Sequence, residues 1–164
     1  METPTVRLAT PEDEGPIYAL LLQFHSEYPL SRQIPLVRSK VEAHIRMGTR
    51  RDGAVIGVAD ALEGGVIGTI GLFPQEWWWS DRWFFQQCWV YVLPAHRAEG
   101  RVGDALFQWA AERRAEFESG MPPEARPFLT SMDHIYGDRI EARDRYWSRW
   151  GKRVGSIFVA GLPD

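Results

Sequence analysis

Trp89-Val-Tyr-Val-Leu-Pro-Ala-His-Arg-Ala-Glu-Gly-Arg-Val-Gly-Asp-Ala-Leu106 is the stretch that organises this chain. An apolar, β-branched strand stops at Pro94, a short turn carrying arginine and glycine follows, and a helix starts at once. The first N–H groups of a helix have no intrahelical partner and lie at the positive end of its dipole. Glycine lets the backbone approach an anion closely, so such a turn can cradle a phosphate or pyrophosphate. Gly100 and Gly103 supply room, and Arg97 or Arg101 can add charge-assisted hydrogen bonds. The alternative is a strand–turn–helix connection whose glycines serve packing only. Neither G-x-x-x-x-G-K-[ST] nor the dinucleotide pattern G-x-G-x-x-G occurs in the turn.

Outward from this stretch the period of the apolar residues changes several times. Upstream, Val6-Arg7-Leu8 reads as a short strand, and Thr10-Pro11-Glu12-Asp13 as a helix start with an N-cap, a first-turn proline and two acids. Ile17, Leu20, Leu21 and Phe24 form a helical stripe, broken by Pro29 and Pro35. A second helix is expected from about Leu36 to Met47, with Val37, Val41 and Ile45 on one face. Ala54 to Ala61 and Val66 to Phe73 read as strands joined through Leu62-Glu63-Gly64-Gly65, a hairpin signal, and a third strand is expected from Phe84 to Leu93. Downstream, Val102, Leu106, Trp109, Ala110 and Phe117 lie on one face of a helix from Gly100 to Glu118. Phe128 to Met132 reads as a strand, Arg139 to Trp150 as a helix and Val154 to Ala160 as a last strand. The order β-α-α-β-β-β-α-β-α-β predicts an α/β (α+β) domain with a mixed central sheet, spanning 1–164 as one unit.

Composition narrows the function. The 164 residues are 45% apolar and 25% charged, enough for a core that needs no staple. Cys88 is the one cysteine, which excludes an internal disulfide. His25, His44, His96 and His134 show no metal-ligand spacing, so no metal is expected. No apolar run approaches the ~20 residues of a membrane span, and METPTVR lacks a signal-peptide pattern, so a cytoplasmic protein is expected. The formal charge of −3 argues against broad capture of nucleic acid. A reading through the arginines of 138–153, six basic against three acidic side chains, has less support.

The run Val92-Leu-Pro-Ala-His-Arg-Ala-Glu-Gly-Arg-Val-Gly103 resembles motif A of the GNAT superfamily of N-acyltransferases, V-x-P-x-x-R-x-x-G-x-G, which binds the pyrophosphate of acetyl-CoA. Here the second glycine comes one residue late. The element order matches that family over nearly the whole chain, and Glu141 to Gly151 resembles its A-x-x-x-Y-x-x-x-G segment. The aromatic hairpin and arginine-rich ending are most similar to GNAT proteins of phages and prophages. The resemblance implies a GNAT-like, mostly antiparallel sheet flanked by helices. It implies acetyl-CoA, or another acyl-CoA, as co-substrate and a small-molecule or protein amine as acceptor. It places the pantetheine arm along Val90, Tyr91 and Val92, and the phosphates on the turn of Arg97, Ala98, Glu99, Gly100, Arg101, Val102, Gly103 and Asp104.

Acyl transfer to an amine calls for a base, because a lysine-like amine of pKa ~10.4 costs roughly 4–5 kcal/mol to deprotonate at pH 7. Asp133 and His134, just past the Phe128 strand, are the first candidates, with Glu76 and Asp81 next. The alternative for Asp133-His134 is a polar turn. The strand before the motif carries Gln86 and Gln87 where many members place a glutamate. Counting back four from Gly151 gives Trp147, where many members place a tyrosine acid; Tyr146, one position off, is the candidate, with core packing as its alternative. These departures motivate a second functional reading, a non-catalytic acyl-CoA-binding or interaction module of the same fold. Trp77-Trp78-Trp79 reads as a strand with Trp77 and Trp79 on one face, buried in the core or in a homodimer interface, or lining an acceptor pocket. Cys88, mid-strand, reads as a core residue rather than a nucleophile.

Overall fold

A computed structural model describes residues 4–28, 31–97, 101–118 and 128–131. Strand β1 (Thr5–Leu8) leads through a 3₁₀ turn (Pro11–Asp13) into α1 (Glu14–Glu27) and α2 (Arg38–Thr49). Strands β2 (Val55–Asp60), β3 (Val66–Trp77) and β4 (Ser80–Val92) follow, then a second 3₁₀ turn (Pro94–His96), α3 (Arg101–Glu118) and β5 (Phe128–Ser131). The five strands lie in sequence order in one sheet, antiparallel except that β5 runs parallel to β4. The expected mixed, mostly antiparallel sheet is therefore present. The expected helix 139–150 and strand 154–160 lie outside the described residues.

Alternation along the strands sends side chains to two apolar layers. On β2, Ile56 and Val58 join Ile17 and Leu21 of α1 and Ile45 of α2, while Ala59 joins Val102, Leu106 and Trp109 of α3. The predicted stripe of α3 is buried at Val102, Leu106, Trp109 and Ala110. Val37, expected on α2, instead precedes the helix and is exposed. Two central glycines set the spacing of these layers. A Cβ at Gly57 would lie 2.7 Å from the Trp109 ring, and one at Gly71 would lie 2.5 Å from the ring of Trp89, its cross-strand partner. The indoles fill the space that side chains would otherwise occupy. Gly64 and Gly65, at φ +93° and +92°, make the predicted β2–β3 turn.

The β3–β4 hairpin is longer than the sequence predicts. Strand β3 continues through Pro74, because past Leu72 only β4 pairs with it among the described residues, and that edge needs no N–H donor. Trp78 and Trp79 are the turn itself rather than strand residues, and both are exposed. Neither has a positive φ, and Asp81 and Arg82 bulge out between the Trp77–Ser80 and Glu76–Trp83 pairs. Trp77 is half-buried between Trp79, at 4.9 Å between ring centroids, and Phe84, at 4.5 Å. Burial of all three indoles in the core is thus corrected.

One ion-pair node ties β1, β2 and the start of α1. Arg7 donates from both terminal nitrogens to Asp13, at 2.7 and 2.9 Å, and from Nε to Asp60 at 2.6 Å. Asp13 in turn accepts the N–H of Thr10 at 2.8 Å. The hydrogen bonds from Arg7 hold the Asp13 carboxyl below its ordinary pKa against the opposing effect of burial. That contribution is complete above the unfolded value of ~3.9 and is lost as pH falls through the lower folded value. The stability difference between wild type and Asp13→Asn should therefore be widest at neutral pH and shrink below about pH 4. Urea titrations across pH test this, and a difference independent of pH overturns it. Gly71→Ala should lower stability by about 1–3 kcal/mol, because the Trp89 ring is buried and has nowhere to retreat. An unchanged unfolding midpoint would show that the indole moves freely.

Candidate active site

The site predicted from sequence begins where β4 loses its regular pairing. Gly71 pairs with Trp89 but Leu72 pairs with Gln87, so Cys88 is an extra residue, a β-bulge. The bulge reverses the side-chain parity of β4. Before it, Phe85 faces the α3 layer; after it, Trp89 faces α1 and α2 while Val90 and Val92 pack toward α3. Pairing of β4 with β5 covers Phe84 to Gln87 and, among the described residues, goes no further. The outer edge of 88–92 is thus unpaired among the described residues, just where the chain approaches α3.

Alternation of the ladder decides which main-chain groups occupy that edge. The Leu93 N–H donates to the Ile67 carbonyl at 2.9 Å, which makes Leu93, Tyr91 and Trp89 the residues bonded to β3. The N–H and C=O groups of Val90 and Val92 then point away from β3, toward the open edge. Of the three residues expected to pair with an extended ligand, Val90 and Val92 are so placed. The main chain of Tyr91 belongs to the β3–β4 ladder.

Beyond Val92, the Pro94–His96 turn leads to Arg97, and α3 is described from Arg101 onward. Its first described turn, Arg101 to Asp104, lies toward the N-terminal, positive end of the helix dipole. Asp104, an acid in that turn, complements the helix dipole. Val102 is buried against Gly68, where a Cβ would meet Val102 Cγ1 at 3.1 Å and Leu106 Cδ1 at 3.2 Å. Gly68 lets the N-terminal turn of α3 descend onto β3, beside the end of β4. Ala98, Glu99, Gly100, Asp133, His134 and Tyr146 lie outside the described residues.

Arg97 is already engaged. Its Nε donates to the Val92 carbonyl at 2.7 Å, and its Nη2 reaches both carboxylate oxygens of Glu27 at 2.8 and 3.1 Å. Its guanidinium lies over the Tyr91 ring, 5.0 Å from the centroid, and the Tyr91 hydroxyl donates to Glu27 at 2.6 Å. Burial, then the Glu27 carboxylate, raises the Tyr91 pKa, so the phenol stays protonated at physiological pH. Glu27 and Gly68 were missed from sequence. The signal for Glu27 is an acid at the last residue of a helix, the end where the dipole disfavours it.

The remaining candidates stand apart or are inert. Glu76 pairs with Trp83 and Asp81 sits in the hairpin bulge, both exposed. Trp83 is seven residues from Val90, roughly 20 Å along an extended strand, so neither acid reaches the open edge. Burial pushes the Cys88 thiol up to about 11, leaving it neutral at physiological pH and a poor nucleophile. Among the described residues, no helix is long and apolar enough to cross a membrane.

In sequence, no protein-family model and no curated protein matches this chain. In structure it is similar to a possible acetyltransferase from Clostridium difficile 630 (TM-score 0.67, 14% identity, covering 99% of this chain and 100% of that one). An aminoglycoside acetyltransferase from an uncultured soil metagenomic sample gives a TM-score of 0.66 at 16% identity, covering 99% of both chains. A ribosomal-protein-alanine N-acetyltransferase from Brucella melitensis biovar Abortus 2308 gives 0.65 at 16% identity, covering 98% of this chain and 99% of that one. The chain has the fold of these acetyltransferases, the GNAT-like fold that its Val92–Gly103 run resembles in sequence.

Proposed function

We propose that this chain is an acyl-CoA-dependent N-acyltransferase, most simply one that moves an acetyl group from acetyl-CoA to an amine by direct attack on the thioester. The observation that carries the reading is the end of β4. There the outward main-chain groups of Val90 and Val92 are followed by the N-terminal end of α3, in a fold shared with acetyltransferases. An extended pantetheine arm adds to such an edge as a peptide adds to a sheet, and a pyrophosphate suits the helix N-terminus beyond it.

The bound thioester supplies an activated acyl carbon. The amine nitrogen forms the new bond to that carbon, the carbon–sulfur bond breaks, and the proton lost by nitrogen balances the one gained by sulfur. The neutral thiol of Cys88 favours this direct route over an acyl-cysteine. Asp133 and His134 remain the proposed bases and Tyr146 the proposed acid. An amine acceptor is supported by the names of two proteins of the same fold, an aminoglycoside acetyltransferase and a ribosomal-protein-alanine N-acetyltransferase.

A ligand that binds only the folded state at a hundredfold excess over its Kd stabilises it by about 2.7 kcal/mol. For a chain of this length, saturating CoA should raise the melting temperature by about 5–10 °C. Dephospho-CoA should keep most of that shift and free pantetheine little. NAD and ATP control for generic anion binding, and equal stabilisation by them would leave a phosphate nest without CoA specificity. If no ligand moves the melting curve, the reading falls. Thiol release from acetyl-CoA with a panel of amines then separates an enzyme from a protein that only binds.

A further inference from the structure

Glu27 is the last residue of α1, where a carboxylate faces the negative end of the helix dipole. Its position has to be held by other groups, and two are present. Tyr91 donates its hydroxyl at 2.6 Å, and Arg97 grips both oxygens. Arg97 also lies across the Tyr91 ring, which meets Phe24 of α1 edge-on at 5.8 Å. The third contact of Arg97 is the one that touches the site: Nε donates to the carbonyl of Val92, the last residue of β4 and one of the two that face the open edge. One guanidinium thus links the end of α1, the end of β4 and the turn before α3.

An arginine in a turn of this kind invites a phosphate, but this one would have to abandon three partners to move there. Leaving would strand the Glu27 carboxylate at its helix end and uncap the Val92 carbonyl. Its charge is also already matched by Glu27. We infer that Arg97 is a positioning residue: clasped by Glu27 and stacked on Tyr91, it fixes the Val92 carbonyl and the entry to the α3 turn, and it leaves the donor's phosphates to the start of α3. This assignment rests on the acyl-transfer reading and sharpens it, because it assigns Arg97 to the shape of the edge rather than to charge.

The test compares two donors that share the thioester arm, acetyl-CoA and S-acetyl-pantetheine, which has no nucleotide and no diphosphate. Donor KM is measured for wild type, Arg97→Ala, Glu27→Ala and the double variant. A clasp predicts that Arg97→Ala raises KM for both donors by the same factor, about tenfold for lost charge-assisted hydrogen bonds. Glu27→Ala should reproduce the effect, and the double variant should be no worse than either single one. Tyr91→Phe should show a weaker version. Partial unfolding alone lowers the apparent kcat by shrinking the active fraction and leaves KM in place, so the KM readout separates positioning from general stability. Two results overturn the assignment. One is a loss confined to acetyl-CoA, with Glu27→Ala binding it more tightly, which makes Arg97 a phosphate ligand restrained by Glu27. The other is a donor KM unchanged in every variant. A wild-type protein that shows no thermal shift with CoA and turns over neither donor overturns the acyl-transfer reading itself, and the clasp's role with it.

Discussion

The extra residue at Cys88 is the constraint on which the rest of the site depends. A regular β4 would keep Phe85 and Trp89 on one face, because strand side chains repeat with a period of two. The structure has them on opposite faces, Phe85 against α3 and Trp89 against α1 and α2. A single inserted residue therefore lets one strand serve two differently shaped cores. Among the described residues, the insertion follows the last β4–β5 pair, Gln87 with Ser131.

Small residues on β2 and β3 complete that arrangement. Gly57 receives the Trp109 indole of α3 and Gly71 receives Trp89, while Gly68 receives Val102 and Leu106. Larger side chains at Gly57 or Gly68 would lift α3 off the sheet, and its first turn would then stand away from the end of β4. One at Gly71 would instead displace Trp89 on the opposite face. Trp89 is held further by a long contact from Nε1 to the Thr69 hydroxyl at 3.4 Å, and Thr69 itself donates to the Gly57 carbonyl at 3.1 Å. Core packing and site geometry are here one set of contacts.

What the sequence made legible was local. Helical spacing located the buried faces of α1 and α3, Gly64-Gly65 located a turn, and Pro94 located the end of β4 within about a residue. Each of these signals acts between near neighbours. The bulge left no such mark, since Gln86-Gln87-Cys88-Trp89 has no glycine or proline to flag it. The tryptophan run misled because large aromatics usually mean burial, and here Trp78 and Trp79 crown a hairpin that outruns β2. The clasp was invisible for another reason. Glu27 meets Arg97 across 70 residues and Tyr91 across 64, and no pattern in one sequence pairs them.

The site proposed here is made mostly of backbone. The groups on offer are the outward N–H and C=O of Val90, the N–H of Val92 and the N-terminal end of α3; side chains serve to hold them in place. A backbone site constrains sequence weakly, because any residue carries the same N–H and C=O provided the chain follows the same path. That is a physical reason why chains at 12–19% identity keep one fold over nearly their full length while their acceptors, an aminoglycoside in one and a ribosomal-protein alanine in another, differ widely. Side-chain identity then matters at the few points where the path itself is in question, which are Gly68 under the helix, the bulge at Cys88, and Arg97 on the carbonyl of Val92.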